Sequence, residues 1–226
     1  MLPEFGTLPA PDTMIHFSTE VRDAGHLVGV GVFATADIPS GTIIWVLDRF
    51  DRVLRPDTIR TWPSRIRDVV ERFGYVDADG SVVVCWDAGR LMNHSCNPTS
   101  IGIGRAFEVA RRPIFRGEEL TCDYGLLNMT GAFDCACGAA GCRGRVSPAD
   151  APSLLASWDQ WARDAFEAAR GVEQPLLPFA KVDGADAAIA EALQSGGPIE
   201  IPPSRTVVRP SDSRSRDVSD RLWSLS

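Results

Sequence analysis

The stretch that decides the fold of this chain reads Arg90–Leu91–Met92–Asn93–His94–Ser95–Cys96–Asn97–Pro98. Four consecutive side chains within it carry an amide, an imidazole, a hydroxyl and a thiol. Such a run disfavours a helix, because asparagine and serine compete for backbone hydrogen bonds and the residue before a proline avoids helical geometry. We therefore expect a turn or a strand end whose polar side chains face a ligand.

Two further clusters of chemically active residues follow this stretch. The first, over residues 117–125, combines two glutamates with a tyrosine at the end of a predicted strand. The second places Cys135, Cys137 and Cys142 within eight residues, with glycines between them. Tetrahedral zinc prefers closely spaced thiolates, and glycine permits the tight turns that such a site needs. The spacing favours a zinc site over the alternative, a set of buried reduced thiols.

The composition narrows the class of protein. The 226 residues are enough for one generous domain, or one domain and an appendage, and 44% of them are hydrophobic. A net charge of −7 argues against a nucleic-acid binder and suits a basic partner, although mild acidity also simply aids solubility. No apolar run is long enough to cross a bilayer, and the N-terminus does not resemble a signal peptide. We expect a cytoplasmic protein with reduced thiols, or a nuclear one if the source is eukaryotic.

Short stretches rich in β-branched and aromatic residues alternate with glycine and proline, which predicts a mainly β domain with short helices. Helical structure is predicted over Asp57–Phe73, where Pro63 suits the first turn of a helix and Gly74 is placed to end it. A second is predicted over Pro152–Ala169, whose apolar residues form one stripe, and a third over Ala185–Leu193. The predicted strands are 14–17, 26–33, 42–47, 82–86, 101–103, 107–110 and 119–122.

In their order, the three clusters resemble the SET-domain protein lysine methyltransferases with their cysteine-rich post-SET segment. The resemblance runs from about Val28 to Gly144, roughly half of the chain. It includes a fourth motif, Gly29–Val30–Gly31, which is similar to the first cofactor-binding turn of that family. Alone, two glycines in a strand indicate only a kink. Four motifs in the order of the family carry much more weight than any one of them.

The resemblance implies the fold of that family, small curled β-sheets of the β-clip type, with a pseudoknot in which a C-terminal segment passes beneath a preceding loop. A zinc-stapled post-SET segment and a C-terminal helical extension would follow. The implied organisation is an N-terminal arm (1–13), the SET domain (14–131), the post-SET zinc-binding segment (132–146), the helical extension (147–195) and a mobile tail (196–226).

The resemblance also implies two cofactors, S-adenosylmethionine as methyl donor and one structural zinc ion. Tyr124 is implied as the catalytic residue, and Cys96 as the fourth zinc ligand beside Cys135, Cys137 and Cys142. Asn93 and His94 would hold the amino-acid and adenine ends of the cofactor. The full set of implied cofactor-binding residues is Gly29, Val30, Gly31, Arg90, Asn93, His94, Phe133 and Ala136.

Methyl transfer to lysine requires a neutral amine, and deprotonating a free lysine at pH 7 costs about 4.6 kcal/mol. An apolar channel lowers that cost, and Tyr124 would orient the amine, although its ordinary pKa near 10 makes it an uncertain general base. Cys122 stands where related enzymes commonly carry Phe or Tyr, so we expect extra room and more than one methyl transfer. Related enzymes often line the lysine channel with several tyrosines, and this chain has only two. Two alternatives follow: Trp45, Phe50 or Trp86 lines the channel instead, or activity is weak.

The function that the resemblance implies is methyl transfer to the side-chain amine of lysine in a histone or another basic protein, without direct binding of nucleic acid or membrane. The first alternative is a SET-like binding module that keeps the fold and the zinc but has lost turnover. The second is a plain zinc-ribbon interaction protein, which would need only the cysteines. Cys85, in a strand-like run, is expected to be an ordinary buried thiol, as is Cys122.

Overall fold

The computed structural model describes residues 14–25, 29–129 and 131–203. The predicted N-terminal arm, 1–13, lies outside the described residues, as does the predicted tail from residue 204 onward. The strands are β1 (Thr19–Gly25), β2 (Gly29–Ala34), β3 (Ile43–Val46), β4 (Arg52–Leu54), β5 (Gly74–Val76), β6 (Val82–Val84), β7 (Asn93–His94), β8 (Ser100–Ile103), β9 (Phe107–Ala110), β10 (Glu119–Cys122), β11 (Phe133–Asp134) and β12 (Arg145–Val146). The α-helices are α1 (Pro56–Arg60), α2 (Ser64–Phe73), α3 (Ala151–Ala169) and α4 (Gly184–Ser195).

The strands form several small sheets, as the sequence predicts. One sheet has four strands in the order β1-β2-β10-β7, and two have three strands each, β3-β9-β8 and β4-β6-β5. A two-stranded sheet pairs β11 with β12. Because the strands are only two to seven residues long, few of them show a clear alternation of buried and exposed side chains. The architecture is therefore a set of small sheets with helices between and behind them.

One large core holds the sheets together, and the C-terminal helix α3 is part of it. Val32, Ile43 and Leu120 are fully buried there. Helix α3 contributes Trp158 and Phe166, each about 1% exposed, together with three buried alanines at helical spacing. Truncating a fully buried Trp or Phe to alanine lowers the free energy of unfolding by about 3–5 kcal/mol. The helical extension thus belongs to the same core as the sheets.

The structure corrects the predicted helix over 57–73. It is split into α1 and α2, because Pro63 lies before α2 as its N-cap and interrupts the chain between the two. Gly74 follows α2 as predicted and begins β5. The predicted strand 14–17 is only a single bridge, between Ile15 and Trp45. None of the four helices is both long enough and apolar enough to cross a membrane, as far as the described residues show.

Candidate active site

Strand β10 lies between the two strands that carry the first two motifs. It pairs antiparallel with β2, where Leu120 faces Val32 across the register. On its other side it pairs parallel with β7, so that Thr121 lies beside Asn93 and Cys122 beside His94. Residues far apart in sequence are therefore held at fixed spacing by backbone hydrogen bonds. This register brings the motifs at 29–31, 93–94 and 119–124 to one place.

Asn93 is held from two directions at this junction. Its side-chain Nδ2 donates to the backbone carbonyl of Val30 at 3.0 Å and to Oε1 of Glu119 at 2.7 Å. Gly31 explains how the carboxylate can come so near, because a Cβ at that position would lie 2.2 Å from Glu119 Oε1 and 2.9 Å from Asn93 Nδ2. A larger residue at position 31 would displace this carboxylate from Asn93, so the glycine permits the close approach.

The side chain of His94 is largely buried and contacts both Tyr124 and Cys96. Its Nδ1 accepts the backbone N–H of Tyr124 at 3.1 Å, which places the ring proton on Nε2. Nε2 lies 3.3 Å from Sγ of Cys96. Burial lowers the pKa of His94 to about 4, against the opposing effect of Asp123, so the ring is neutral at pH 7. The 3.6 Å approach of Asp123 is therefore not an ion pair.

Tyr124 follows β10 and faces into a cavity. Its hydroxyl donates to the backbone carbonyl of Met92 at 2.9 Å, which leaves the lone pairs of the oxygen as acceptors. Burial, with the nearby Cys122 and Glu119, raises the pKa of Tyr124 well above its usual range. The side chain stays protonated at any physiological pH. It is suited to orient a partner and poorly suited to accept a proton.

The cavity has a volume of about 540 Å³, within the usual range for a ligand site. Its aromatic walls consist of Trp45, Phe73, Tyr75, Phe107, Tyr124 and Phe133. Of the three aromatic residues predicted for a lysine channel, only Trp45 is among the lining residues. Phe50 and Trp86 instead pack on each other, with ring centroids 5.5 Å apart. Both tyrosines of the chain line the cavity, so its aromatic walls are more complete than the composition suggests.

The two remaining cysteines differ in their surroundings. Cys85 is buried, as expected for an ordinary thiol, although it also borders the cavity. Cys122 was expected to be buried too, but it is half-buried and lines the cavity near Tyr124. It is the last residue of β10, on the same face as the buried Leu120, so that it packs partly against the core and partly borders the cavity.

The four cysteines predicted as metal ligands lie together. Sγ of Cys135 is 3.8 Å from Sγ of Cys96 and 3.7 Å from Sγ of Cys142. In a tetrahedron with zinc–sulfur bonds of about 2.3 Å, adjacent sulfur atoms are about 3.8 Å apart. Sγ of Cys137 accepts the backbone N–H of Cys96 at 3.4 Å. Gly138 and Gly144 have positive φ angles of 72° and 70°, which the tight turns of this segment require. The arrangement fits zinc.

One other residue competes for the fourth position. Ligand atoms of His94, Cys96, Cys135 and Cys137 all lie within 4.8 Å of one another, so an imidazole is available where the sequence predicts Cys142. The thiols already share a negative charge: burial and its neighbours raise the pKa of Cys135 to about 12. Burial opposes ionisation of Cys137 as well, but the hydrogen bonds that it accepts, first from the N–H of Cys96, lower its pKa to about 6.

Arg143 and Asp123 connect the cysteines to the tyrosine and to helix α3. Arg143 donates its backbone N–H and its Nε to Sγ of Cys96 at 3.4 and 3.3 Å, contacts that stabilise a thiolate. Its Nη2 lies 2.6 Å from Asp123, which is about 2% exposed. Asp123 also accepts from the backbone of Gly125 and from the indole of Trp158 at 3.2 Å. This carboxylate therefore links the cysteine segment and helix α3 to the residues next to Tyr124.

The implied cofactor residues fall into three groups. Arg90 and Phe133 line the cavity, and Arg90 is fixed by donating to the backbone carbonyls of Trp86 and Asp87. Gly29, Val30 and Gly31 lie on β2, whose Val30 carbonyl accepts from the side chain of Asn93 on β7. Asn93 is the residue after the cavity-lining Met92, and none of these four residues is among those that line the cavity. His94 lies behind them, and Ala136 is exposed and is not among the residues that line the cavity.

Three residues of the site had no assigned role in the sequence analysis. Glu119 belongs to the motif at residues 117–125, but only the structure shows its contact with Asn93. Arg143 and Trp158 gave no signal, since an arginine beside a cysteine and a tryptophan on an amphipathic helix are usually a solvated charge and a core residue. Their contacts with Cys96 and Asp123 depend on tertiary structure alone.

Comparison with known proteins agrees with this geometry. Residues 29–125 match the family model of the SET domain. Histone-lysine N-methyltransferase ASHH3 of Arabidopsis thaliana is 36% identical over 159 residues, which is 63% of this chain and 42% of that protein. Histone-lysine N-methyltransferase trr of Drosophila melanogaster is 31% identical over 130 residues, 51% of this chain and 5% of that protein. The chain thus spans less than half the length of these relatives.

Among solved structures, the crystal structure of KRYPTONITE in complex with mCHG DNA and SAH is 23% identical in sequence. It superposes with a TM-score of 0.41 over 54% of this chain and 27% of that one.

Proposed function

We propose that this SET-domain protein transfers methyl groups from S-adenosylmethionine to the side-chain amine of lysine in a protein. The observation that carries the proposal is the position of Tyr124. Its hydroxyl is fixed by the carbonyl of Met92, and its side chain lines a cavity with several aromatic residues in the wall. Met92 is followed in the chain by Asn93, which contacts Glu119. The relatives named histone-lysine N-methyltransferases support the same reaction for this chain.

The residues of the cavity suit a reaction that depends on orientation. S-adenosylmethionine, when bound, supplies a methyl group on a positively charged sulfonium. The aromatic part of the cavity wall, where Phe133 packs on Tyr124, disfavours a charged lysine and so favours the neutral amine that must attack. The carboxylates of Asp68, Glu71 and Glu108 also line the cavity, and they suit the approach of a basic substrate. The Tyr124 oxygen, whose own proton is donated to Met92, accepts an N–H of that amine and aims its lone pair. Because Tyr124 holds its own proton tightly, it does not act as the base. The lysine ammonium instead loses its proton to solvent before the methyl group is transferred.

The cysteine cluster would hold one structural zinc ion through Cys96, Cys135, Cys137 and Cys142. Zinc there would fasten residues 131–146 to the turn that carries Asn93 and His94, since Cys96 belongs to that turn. Phe133, whose ring lies 5.3 Å from that of His94 and 5.9 Å from that of Tyr124, would then be held over the site. The finer implied features, the threaded pseudoknot and the domain bounds, belong to the same proposal.

The substrate is proposed to be a histone or another basic protein, on the basis of the relatives' names and the net charge of −7. Cys122 is smaller than Phe or Tyr and borders the cavity, so we expect room for a second methyl group. A cytoplasmic location, or a nuclear one in a eukaryote, and the absence of direct nucleic-acid binding are part of this proposal. The shortage of tyrosines keeps the inactive binding module as the alternative, although both tyrosines that the chain has line the cavity.

Mass spectrometry of histones and other lysine-rich proteins, incubated with the zinc-loaded protein and S-adenosylmethionine, tests the proposal. We expect mass gains of one or more methyl groups that disappear with Tyr124→Phe. Lys181→Arg removes the only lysine of the enzyme and hence any signal from self-methylation. Cofactor binding without methylation of any of these substrates would favour the inactive binding module, and no cofactor binding would contradict the assignment.

A further inference from the structure

We infer that Glu119 is a positioning residue for the cofactor: its carboxylate fixes the Asn93 amide so that Oδ1 of Asn93 faces the cofactor's α-ammonium group. This inference rests on the proposed function, in which Asn93 binds the amino-acid end of S-adenosylmethionine. Glu119 acts through Asn93 and takes no part in methyl transfer itself.

The hydrogen bonds determine which way the amide faces. Val30 O and Glu119 Oε1 are both acceptors, and both lie within 3.0 Å of the same side-chain atom of Asn93. Only the NH₂ group can satisfy two acceptors, so the reverse orientation would set the amide oxygen against a carbonyl and a carboxylate. The amide oxygen therefore lies on the other side of the planar group. Among the described residues, no hydrogen bond occupies it.

Glu119 itself has little freedom to move. It is the first residue of β10, where it pairs with Phe33 of β2, and the next residue, Leu120, is fully buried. Glycine at position 31 leaves the carboxylate unobstructed in this place, since a Cβ there would lie 2.2 Å from Oε1 and would displace it. Strand register and the missing Cβ together place the carboxylate against Asn93.

Within the described residues, the charge of Glu119 acts on the Asn93 amide without a competing cation. In the parts of the chain that the structure describes, no arginine or lysine forms an ion pair with it. Its hydrogen bond from Asn93 is charge-assisted, which strengthens it relative to a neutral pair. An amide oxygen that is polarised by this carboxylate is a better acceptor for an ammonium group. The ligand chemistry that this favours is a primary ammonium next to a sulfonium.

Calorimetry on the zinc-loaded full chain separates this role from a structural one. The probes are S-adenosylhomocysteine, which carries the α-ammonium, and 5′-methylthioadenosine, which lacks the amino-acid part. We expect Glu119→Ala to weaken binding of S-adenosylhomocysteine about tenfold, the scale of one charge-assisted hydrogen bond, and Glu119→Gln, which keeps an acceptor oxygen, to weaken it about threefold. Binding of 5′-methylthioadenosine should stay within about twofold in both variants.

A double-mutant cycle tests whether Glu119 acts through Asn93. The variant with both Asn93→Ala and Glu119→Ala should bind S-adenosylhomocysteine as weakly as Asn93→Ala alone. Additive losses, or equal weakening of both probes by Glu119→Ala, would overturn the inference. Failure of the unaltered protein to bind S-adenosylhomocysteine would contradict the proposed function and, with it, this inference.

Discussion

Tyr124 and Phe133 reach the same cavity from two regions that are built differently. Tyr124 follows β10, which pairs with strands on both sides and carries the fully buried Leu120; we call residues 119–124 the sheet wall. Phe133 lies on β11, a two-residue strand paired only with β12; we call residues 131–146 the cysteine wall, in which Val146 alone is buried.

The comparison shows that one side of the site is held by the core and the other by its cysteines. Burying a large aliphatic side chain stabilises a segment by about 1.5–3 kcal/mol, and the sheet wall has such a residue in its centre. The cysteine wall gains little stability from buried apolar side chains, whereas zinc binding in small metal sites contributes on the order of 10 kcal/mol. The shape of the cavity should therefore depend on metal on one side only.

Loss of zinc should have the largest effect. Removing the ion with a chelator should abolish nearly all methyl transfer, because Phe133 loses its support, and added zinc should restore it. Cys137→Ser should reduce bound zinc to about one-tenth or less, as measured by elemental mass spectrometry. Cys85→Ala, a buried thiol outside the cluster, should keep the full zinc content. An unchanged zinc content in Cys137→Ser would count against the ligand set.

The same measurement decides which residue is the fourth ligand. If Cys142 binds zinc, Cys142→Ser should lose the ion as Cys137→Ser does, while His94→Gln should retain it. The reverse result would assign the position to His94, whose Nε2 lies 3.3 Å from Sγ of Cys96.

Removal of the Tyr124 hydroxyl should have the next largest effect, confined to turnover. Tyr124→Phe should lower kcat about 100-fold, the usual scale for losing a group that orients the reactants, while zinc content and cofactor affinity stay unchanged. Tyr75→Phe is the matched control, since it removes the other cavity tyrosine hydroxyl. Steady-state kinetics should show a loss of no more than about threefold for it. Equal losses in the two variants would refute the special role of Tyr124.

The cysteine wall should contribute to cofactor binding through Phe133. Phe133→Ala should weaken binding of S-adenosylhomocysteine about tenfold, because a large aromatic contact beside Tyr124 and His94 is lost. Ala136→Ser, an exposed change in the same wall, should stay within about twofold. Isothermal calorimetry measures the affinity of both variants. A larger loss of affinity at Ala136 than at Phe133 would show that Ala136, and not Phe133, contacts the cofactor.

The smallest effect is expected at the contact between the sheet wall and helix α3. Trp158→Phe removes the indole N–H that Asp123 accepts and should reduce the free energy of unfolding by about 1–2 kcal/mol. Trp161→Phe, at a half-buried tryptophan that stacks on Arg111, should cost less than about 1 kcal/mol. Urea titration of both variants gives the comparison. If Trp158→Phe were as stable as the unaltered protein, the hydrogen bond from Trp158 to Asp123 would not stabilise the sheet wall.

The sequence was sufficient where the chemistry is local. Strand β10 has its predicted bounds, helix α3 starts one residue earlier than predicted, and the cysteines lie together as their spacing indicates. It was insufficient where long-range contacts decide. The end of β10 is one case, since Cys122 lies between the core and a cavity whose other walls come from distant parts of the chain. The split at Pro63 is different, because that proline was visible in the sequence and its effect was misjudged. The contact of Glu119 with Asn93 crosses 26 residues and had no sequence signal.

Hydrogen–deuterium exchange with and without zinc tests most directly how the two walls are held. After chelation we expect the backbone of residues 131–146 to exchange as fast as an unprotected segment, while β10 keeps its protection. Restored zinc should slow exchange in the cysteine wall again. Equal protection of residues 131–146 in both states, or simultaneous loss of protection in β10, would contradict the division between a wall held by the core and a wall held by metal.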